Sequence, residues 1–139
     1  MSLGPHDGWM LRLFGAHVDQ AFGHVPYHVG SSLGKKQPYR DVDVRLILPD
    51  DEYADLFGDP DEPGLDHKLR VWNLAWTALG HRMTGLPIDF QFQQQTYANR
   101  EFGGPRGALV LTWNCRLLLP SFPSSRAAAS QQHGAGDPQ

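Results

Sequence analysis

The chain has 139 residues, 40% of them hydrophobic, a formal net charge of -3 and a single cysteine. This length predicts one domain with one core, and the acidic balance argues against a broad electrostatic footprint on nucleic acid. The lone Cys115 excludes an internal disulfide and a cysteine-rich zinc site, which favours a reducing compartment. Residues 1–6 carry no signal-peptide pattern, and no apolar stretch approaches the roughly 20 residues that span a bilayer. We therefore expect a cytoplasmic protein without a membrane segment.

Apolar spacing in the first third of the chain predicts a helix from Asp7 to Phe22 that ends at Gly23. A short strand follows at Pro26–Val29. The Gly30-Ser31-Ser32 turn after it is predicted to begin a helical turn, whose first amide groups are a typical anion site. After a polar loop, the apolar residues around Asp41 and Asp43 predict a second strand from Asp41 to Leu48.

The acidic residues 50–52 and the Asp-, Gly- and Pro-rich residues 53–63 are interpreted as loop with at most one helical turn. A wide apolar surface predicts a helix over residues 66–81 that packs on the sheet. Residues 88–95 alternate between an apolar face and a polar face with Asp89, Gln91 and Gln93, which predicts a strand.

The last third is predicted as a loop or hairpin connection over residues 97–107 and a strand over residues 109–119. Residues 1–119 form the predicted domain. Beyond Pro120 the Ser-, Ala-, Gln- and Gly-rich composition predicts a disordered tail over residues 120–139.

Carboxylates are the most informative feature of the two long strands. Asp41 and Asp43 lie two residues apart in a strand, so both point to one face. Like charges side by side repel, and a divalent cation between them is the usual solution. If the strand with Asp89 is a neighbour, three carboxylates converge near Ser31. Such an oxygen-rich set suits Mg²⁺ or Mn²⁺.

The pattern Gly30-Ser31, Asp41-Val42-Asp43-Val44 and a later isolated Ile88-Asp89-Phe90 resembles the nucleotidyltransferase superfamily, which includes DNA polymerase beta and minimal bacterial nucleotidyltransferases. The resemblance implies an α/β fold with a small mixed-sheet palm and helices packed on one face. It further implies that Gly30 and Ser31 contact a triphosphate and that Asp41 and Asp43 hold the metal. Asp89 would be the third carboxylate, which helps to activate an acceptor hydroxyl.

Other residues around this motif are candidate nucleotide contacts: Ser32, Lys35, Lys36 and Arg45. The two lysines could hold the β- and γ-phosphates, although a lysine pair in a loop is also typical of a solvated surface. Arg45 shares a face with both strand carboxylates, so it either neutralises them or reaches a phosphate. Arg40 stands where the family usually has a small hydroxyl residue.

The function implied is metal-dependent transfer of a nucleoside monophosphate, from ATP or another nucleoside triphosphate, to the hydroxyl of an unknown protein, RNA or small-molecule acceptor, with release of pyrophosphate. Because the chain is short, a partner macromolecule or a second copy in a homodimer would complete the cleft; minimal family members commonly work with a helical partner. Two alternatives stay open. One is an inactive binding or regulatory module with Arg40 and Arg45 in the metal pocket, and the other is a metal-dependent nuclease built on the same carboxylates.

Overall fold

The computed structural model describes residues 3–33, 40–59 and 66–111. Its elements in chain order are α1 (Pro5–Phe22), β1 (Tyr27–Val29), β2 (Val42–Leu48), α2 (Asp50–Phe57), α3 (Asp66–Thr84), β3 (Ile88–Gln94), α4 (Gln95–Glu101) and β4 (Gly107–Ala108). The strands form one sheet in the order β3-β2-β1-β4. Strand β2 pairs parallel with β3 and antiparallel with β1, and β1 pairs antiparallel with β4. The predicted mixed α/β class is therefore confirmed.

Alternation along β2 divides the sheet into an apolar face and a polar face. The apolar side chains of β2 that face the core are almost fully buried: Val42, Val44, Leu46 and Leu48. They join residues of α1 such as Phe14 in one cluster, and Phe14 lies between Trp76 of α3 and Phe90 of β3 at ring distances of 6.4 and 6.0 Å. The intervening residues of β2 are only partly buried. Helices α1, α2 and α3 thus pack on the apolar face, and the end of α4 lies over the polar face.

Helix α3 also runs along the outer edge of β3 and bonds to its backbone. Thr77 Oγ1 accepts a hydrogen bond of 2.9 Å from the amide of Phe90, and Asn73 Oδ1 accepts one of 3.0 Å from the amide of Phe92. Edge strands normally leave such amides open to pairing with another chain. Here two of them are satisfied by helix side chains.

The acidic residues 50–52 were predicted to form a loop, and that prediction is wrong because they begin α2. Carboxylates in a first helical turn are favourable because they face the positive end of the helix dipole. Tyr53 and Phe57 lie one turn apart and are buried, and the Phe57 ring packs edge-on against Trp72 at 5.8 Å. Burial of these two aromatics stabilises a helix that the local composition disfavours.

The loop predicted over residues 97–107 is also partly wrong, because α4 begins directly after β3. Asp50 of α2 accepts hydrogen bonds from the backbone amide of Thr96, at 3.0 Å, and from its hydroxyl. A cap supplied by another helix leaves no signal in the local sequence. Strand β4 lies just before the predicted strand of residues 109–119, and the described part of that prediction, residues 109–111, is wrong because these residues are not strand. Residues 112–119 and the tail of residues 120–139 lie outside the described residues.

The helices predicted over residues 7–22 and 66–81 are confirmed with ends moved by a few residues, a normal uncertainty for helix boundaries. Gly23 ends α1 in the left-handed conformation, as its position predicts. Among the described helices, none combines the length and the apolarity that a membrane crossing requires.

Candidate functional site

The predicted acidic residues come together where β2 and β3 begin. Asp43 and Asp89 are direct partners in the parallel register of the two strands, so their side chains leave the same face next to each other. Asp41 is exposed just ahead of β2, and after burial and Asp89 its charge makes the smallest of the contributions that raise the pKa of the Asp43 carboxyl. The structure therefore brings two of the three carboxylates side by side, with the third at the entrance to the strand.

Gly30 lets the chain turn directly against the Asp43 carboxylate. Strand β1 places Val29 opposite Asp43, and Gly30 follows with φ of +76°. A Cβ added at Gly30 would overlap Asp43 Oδ2 and lie 3.1 Å from Asp43 Cγ. The turn is closed by the amide of Leu33, which donates to the Gly30 carbonyl at 3.2 Å. Only glycine satisfies both the backbone conformation and the close approach.

Arg45 occupies the space between the two carboxylates. Its Nη2 donates to Asp43 Oδ1 at 3.2 Å and to Asp89 Oδ2 at 2.9 Å. Its Nη1 donates to the carbonyl oxygens of Asp89, at 2.7 Å, and of Val44, at 3.1 Å. Only 13% of the side chain is exposed. Of the two roles predicted for Arg45, neutralisation of the carboxylates is the one seen in this conformation.

Even with Arg45 beside it, the Asp43 carboxyl holds a proton more readily than a solvated one. Burial raises its pKa above the usual range, and Arg45 opposes that shift. Repulsion from Asp89, a hydrogen bond with the Asp89 side chain and repulsion from Asp41 raise the pKa further. Partial burial and the two neighbouring carboxylates thus outweigh the single Arg45 in setting this pKa, and a carboxylate in such surroundings attracts a proton or a cation.

A cavity of about 540 Å³ lies on the polar face of the sheet, where Asp43 and Arg45 line it and Asp89 is not among its lining residues. Its floor consists of side chains of β2 and β3, and its opposite wall is the end of α4 with residues 102–106. Arg106 fixes this wall because its Nη2 donates to the carbonyl oxygens of Ala98 and Phe102. The volume lies within the range typical of small-molecule sites.

The predicted serine and lysine contacts differ in where the structure puts them. Ser31 is exposed in the turn after β1. Ser32 is 1% exposed, and its Oγ lies 2.7 Å from Nε2 of buried His28, whose pKa is lowered by burial. Ser32 and His28 line a separate cavity of about 460 Å³ with the start of α1. The Ser32 side chain is thus turned away from the acidic pair, and Lys35 and Lys36 lie outside the described residues.

Several cavity residues were not among the predicted contacts: Gln91, Gln93 and Phe102. The two glutamines could have been found from the sequence, because they follow Asp89 on the polar face of β3. Phe102 lies on a wall built by α4, and no sequence pattern predicts that this helix returns over the sheet.

The donor set suits a divalent cation chemically, since Asp41, Asp43 and Asp89 offer hard carboxylate oxygens. The Arg45 guanidinium stands between two of them, so a cation at that point would require Arg45 to exchange its contacts. Across residues 3–33, 40–59 and 66–111, no cluster of three or more His, Cys, Asp or Glu side chains has the arrangement of a metal site.

Comparison with known proteins supplies no relative for this arrangement. No protein-family model, no curated protein and no solved structure matches the chain.

Proposed function

We propose that this protein is a metal-dependent nucleotidyltransferase that moves a nucleoside monophosphate from a nucleoside triphosphate to the hydroxyl of an acceptor. One observation carries the proposal: Asp43 lies against the Gly30 turn, lines a cavity of about 540 Å³ with it, and has Asp89 as its register partner on the next strand. Two adjacent carboxylates, a close backbone turn and a cavity of this size are what a phosphate-bearing substrate with bound cations requires.

In the proposed reaction the acceptor oxygen attacks the α-phosphorus, and the bond from that phosphorus to the bridging oxygen of the leaving group breaks. Pyrophosphate leaves with the electron pair of that bond. The proton of the acceptor hydroxyl passes to Asp89 or to water. Asp89 is suited to this step because its carboxylate is 41% exposed and therefore accessible to an incoming hydroxyl.

Asp41, Asp43 and Asp89 are the residues that would hold Mg²⁺ or Mn²⁺. When bound, the cation neutralises phosphate charge and polarises the α-phosphoryl group. The residues of the chain position the reactants. Gly30 and Ser31 bring the turn after β1 to the triphosphate, and the walls of the cavity limit the access of water.

Arg45 must change partners for this function. Its guanidinium would release the carboxylates and turn its parallel donors to a phosphate, for which bidentate contacts are equally suitable. The triphosphate and its cation would then arrive together. We therefore expect metal binding to depend on nucleotide.

Pyrophosphate release and ligand-induced thermal stabilisation test the proposal directly. The purified chain is incubated with ATP, CTP, GTP or UTP and Mg²⁺ or Mn²⁺, and a cell lysate serves as the source of acceptor. With labelled nucleotides, we expect the wild type to release pyrophosphate and to transfer the label to an acceptor. Asp41→Asn and Asp43→Asn should do neither. Ligand binding to the native state raises the melting temperature, so no shift with any triphosphate and metal would refute the proposal.

The acceptor in this scheme is a protein, an RNA or a small molecule, and the cleft is completed by a helical partner or a second copy of the chain. Identification of the labelled product decides between these acceptors. Because nucleoside triphosphates are cytoplasmic metabolites, we place the activity in the cytoplasm.

A second candidate is an inactive member of the same class that serves as a binding or regulatory module. The bonds from Arg45 to both carboxylates favour it, because a fixed guanidinium there replaces a cation. Arg45→Gln separates the two. If the protein is an inactive module, the wild type releases no pyrophosphate, and Mg²⁺ raises the melting temperature only of the Arg45→Gln variant. If the protein is a working transferase, Mg²⁺ together with a nucleotide raises the melting temperature of the wild type.

A further inference from the structure

The cavity extends well beyond the acidic pair along the polar face of β2 and β3. The register places Arg45 opposite Gln91 and Ile47 opposite Gln93, and all four residues line the cavity. Four residues of a strand separate Asp89 from Gln93, which corresponds to about 13 Å. That is the scale of a nucleotide from its α-phosphate to the far edge of its base. The distal end of the cavity is thus at the right distance from the acidic pair for a base.

The amide of Gln91 has a defined orientation. Its Nε2 donates to Asp89 Oδ2 at 3.2 Å. The carbonyl oxygen of Gln91 is therefore directed away from Asp89, where it can accept a hydrogen bond from a ligand. Such an acceptor recognises an amino or imino group.

Gln93 adds a second amide farther along the same floor. It is only 9% exposed, and an amide at this depth needs hydrogen-bond partners. An amide offers a donor and an acceptor side by side, the pattern that glutamine uses for bidentate contacts with adenine. Two amides in line on a cavity floor therefore suit an edge that combines an amino group with a ring nitrogen.

Apolar residues also line the cavity, although the wall opposite the sheet carries the charged Glu101 and Arg106 as well. Ile47 forms the floor beside Gln93, and Phe102 stands on the opposite wall with 49% of its surface exposed. The Phe102 ring is supported edge-on by Tyr97 at 6.0 Å. Base stacking on an exposed aromatic ring is a common means of holding a nucleobase. The two surfaces together suit a flat heteroaromatic ring.

We propose that the distal cavity is a nucleobase subsite in which Gln91 and Gln93 select adenine or cytosine over uracil and Phe102 stacks on the base. This inference rests on the proposed function for the position of the phosphates. It goes beyond that function because it assigns the base and the residues that recognise it. The amino group beside a ring nitrogen is common to adenine and cytosine, whereas uracil has a carbonyl in place of the amino group.

Equilibrium binding of five probes tests the subsite: ATP, CTP, GTP, UTP and inorganic tripolyphosphate, each with Mn²⁺. Wild type should bind ATP or CTP about tenfold more tightly than UTP, and tripolyphosphate more weakly than either, because one good bidentate base contact discriminates by about that factor. Gln93→Met keeps the length of the side chain and removes its amide. It should abolish the preference and leave the affinity for tripolyphosphate unchanged.

Gln95→Met is the matched control, because Gln95 is exposed at the start of α4 and is not among the cavity-lining residues. It should keep the wild-type preference. Phe102→Ala should weaken all four nucleotides and spare tripolyphosphate. If tripolyphosphate binds as tightly as every nucleotide, or if Gln93→Met keeps the preference, the subsite is refuted while the phosphate site stands. If no probe binds, the proposed function fails as well.

Discussion

Substitution of Gly30 by alanine tests the close contact between the turn after β1 and the acidic pair. Gly30 and Gly23 have nearly equal positive φ angles of 76° and 74°, but a Cβ at Gly23 meets nothing within 4 Å whereas one at Gly30 overlaps Asp43. Left-handed backbone costs an alanine about 1–2 kcal/mol. Gly23→Ala should therefore lower the free energy of unfolding by about that amount.

Gly30→Ala should cost more because Asp43 must also move. Displacing its carboxylate puts strain on a rotamer, about 1 kcal/mol, and weakens the charge-assisted bond from Arg45, about 1.5–3 kcal/mol. Together with the backbone strain, the expected loss is about 3.5–6 kcal/mol. A loss of 1 kcal/mol lowers the melting temperature by roughly 2–8 °C in domains of about 60 to 250 residues, so thermal and urea denaturation separate the two variants easily.

A double-mutant cycle with Asp43→Ala identifies the source of the difference. Without the Asp43 carboxylate only its Cβ remains near the new methyl group, at the ordinary contact distance of 3.4 Å. The cost of Gly30→Ala should then fall to that of Gly23→Ala. Equal losses for the two glycine variants in the wild-type background, or an undiminished loss in the Asp43→Ala background, would show that the close contact is not what fixes glycine at this position.

Three further outcomes follow from the bonds of individual side chains. Burial raises the pKa of Asp43, so above pH ~3.9 the folded protein binds a proton there more readily than the unfolded chain does. The contribution of Asp43 to the free energy of unfolding therefore falls as the pH rises from ~3.9 through the raised pKa. Asp43→Asn should remove this pH dependence, as measured by urea denaturation at a series of pH values. Asp50 is the opposite case: bonds from Thr96 lower its pKa, so its contribution is lost on acidification below pH ~3.9, and Asp50→Asn should flatten that loss. Asn73→Leu leaves the buried amide of Phe92 without its acceptor, which should cost about 1–3 kcal/mol in the same assay, whereas Asn73→Asp keeps an oxygen there and should cost less.

The sequence predicts the parts of the fold that depend on alternation. Every second residue of β2 is apolar, so both the strand and its buried face follow from residues 42–48 alone. The polar face of β3 follows in the same way. Helices α2 and α4 do not, because a contact between Phe57 and Trp72 and a cap from Asp50 stabilise them. These partners are distant in sequence, so the helix propensity of the local residues does not predict the contacts.

The candidate site shows the same limit. Periodicity places Asp43, Asp89 and Arg45 on one polar face, but the register that makes the two carboxylates neighbours is a property of the assembled sheet. The direction of a long arginine side chain is decided by its partners, and four acceptors decide it here. The burial of Ser32 against His28 likewise depends on the packing of α1.

Helix α3 closes the outer edge of β3, and this limits how another molecule can approach the sheet. Two amides that a docking strand would need are already bonded to Thr77 and Asn73, so strand addition at this point would first have to displace the helix. The same bonds hold the strand that carries Asp89 between a helix and a neighbouring strand. We therefore expect a motion that opens the site to involve Arg45 and the wall of residues 102–106, while the strand that carries Asp89 stays in place.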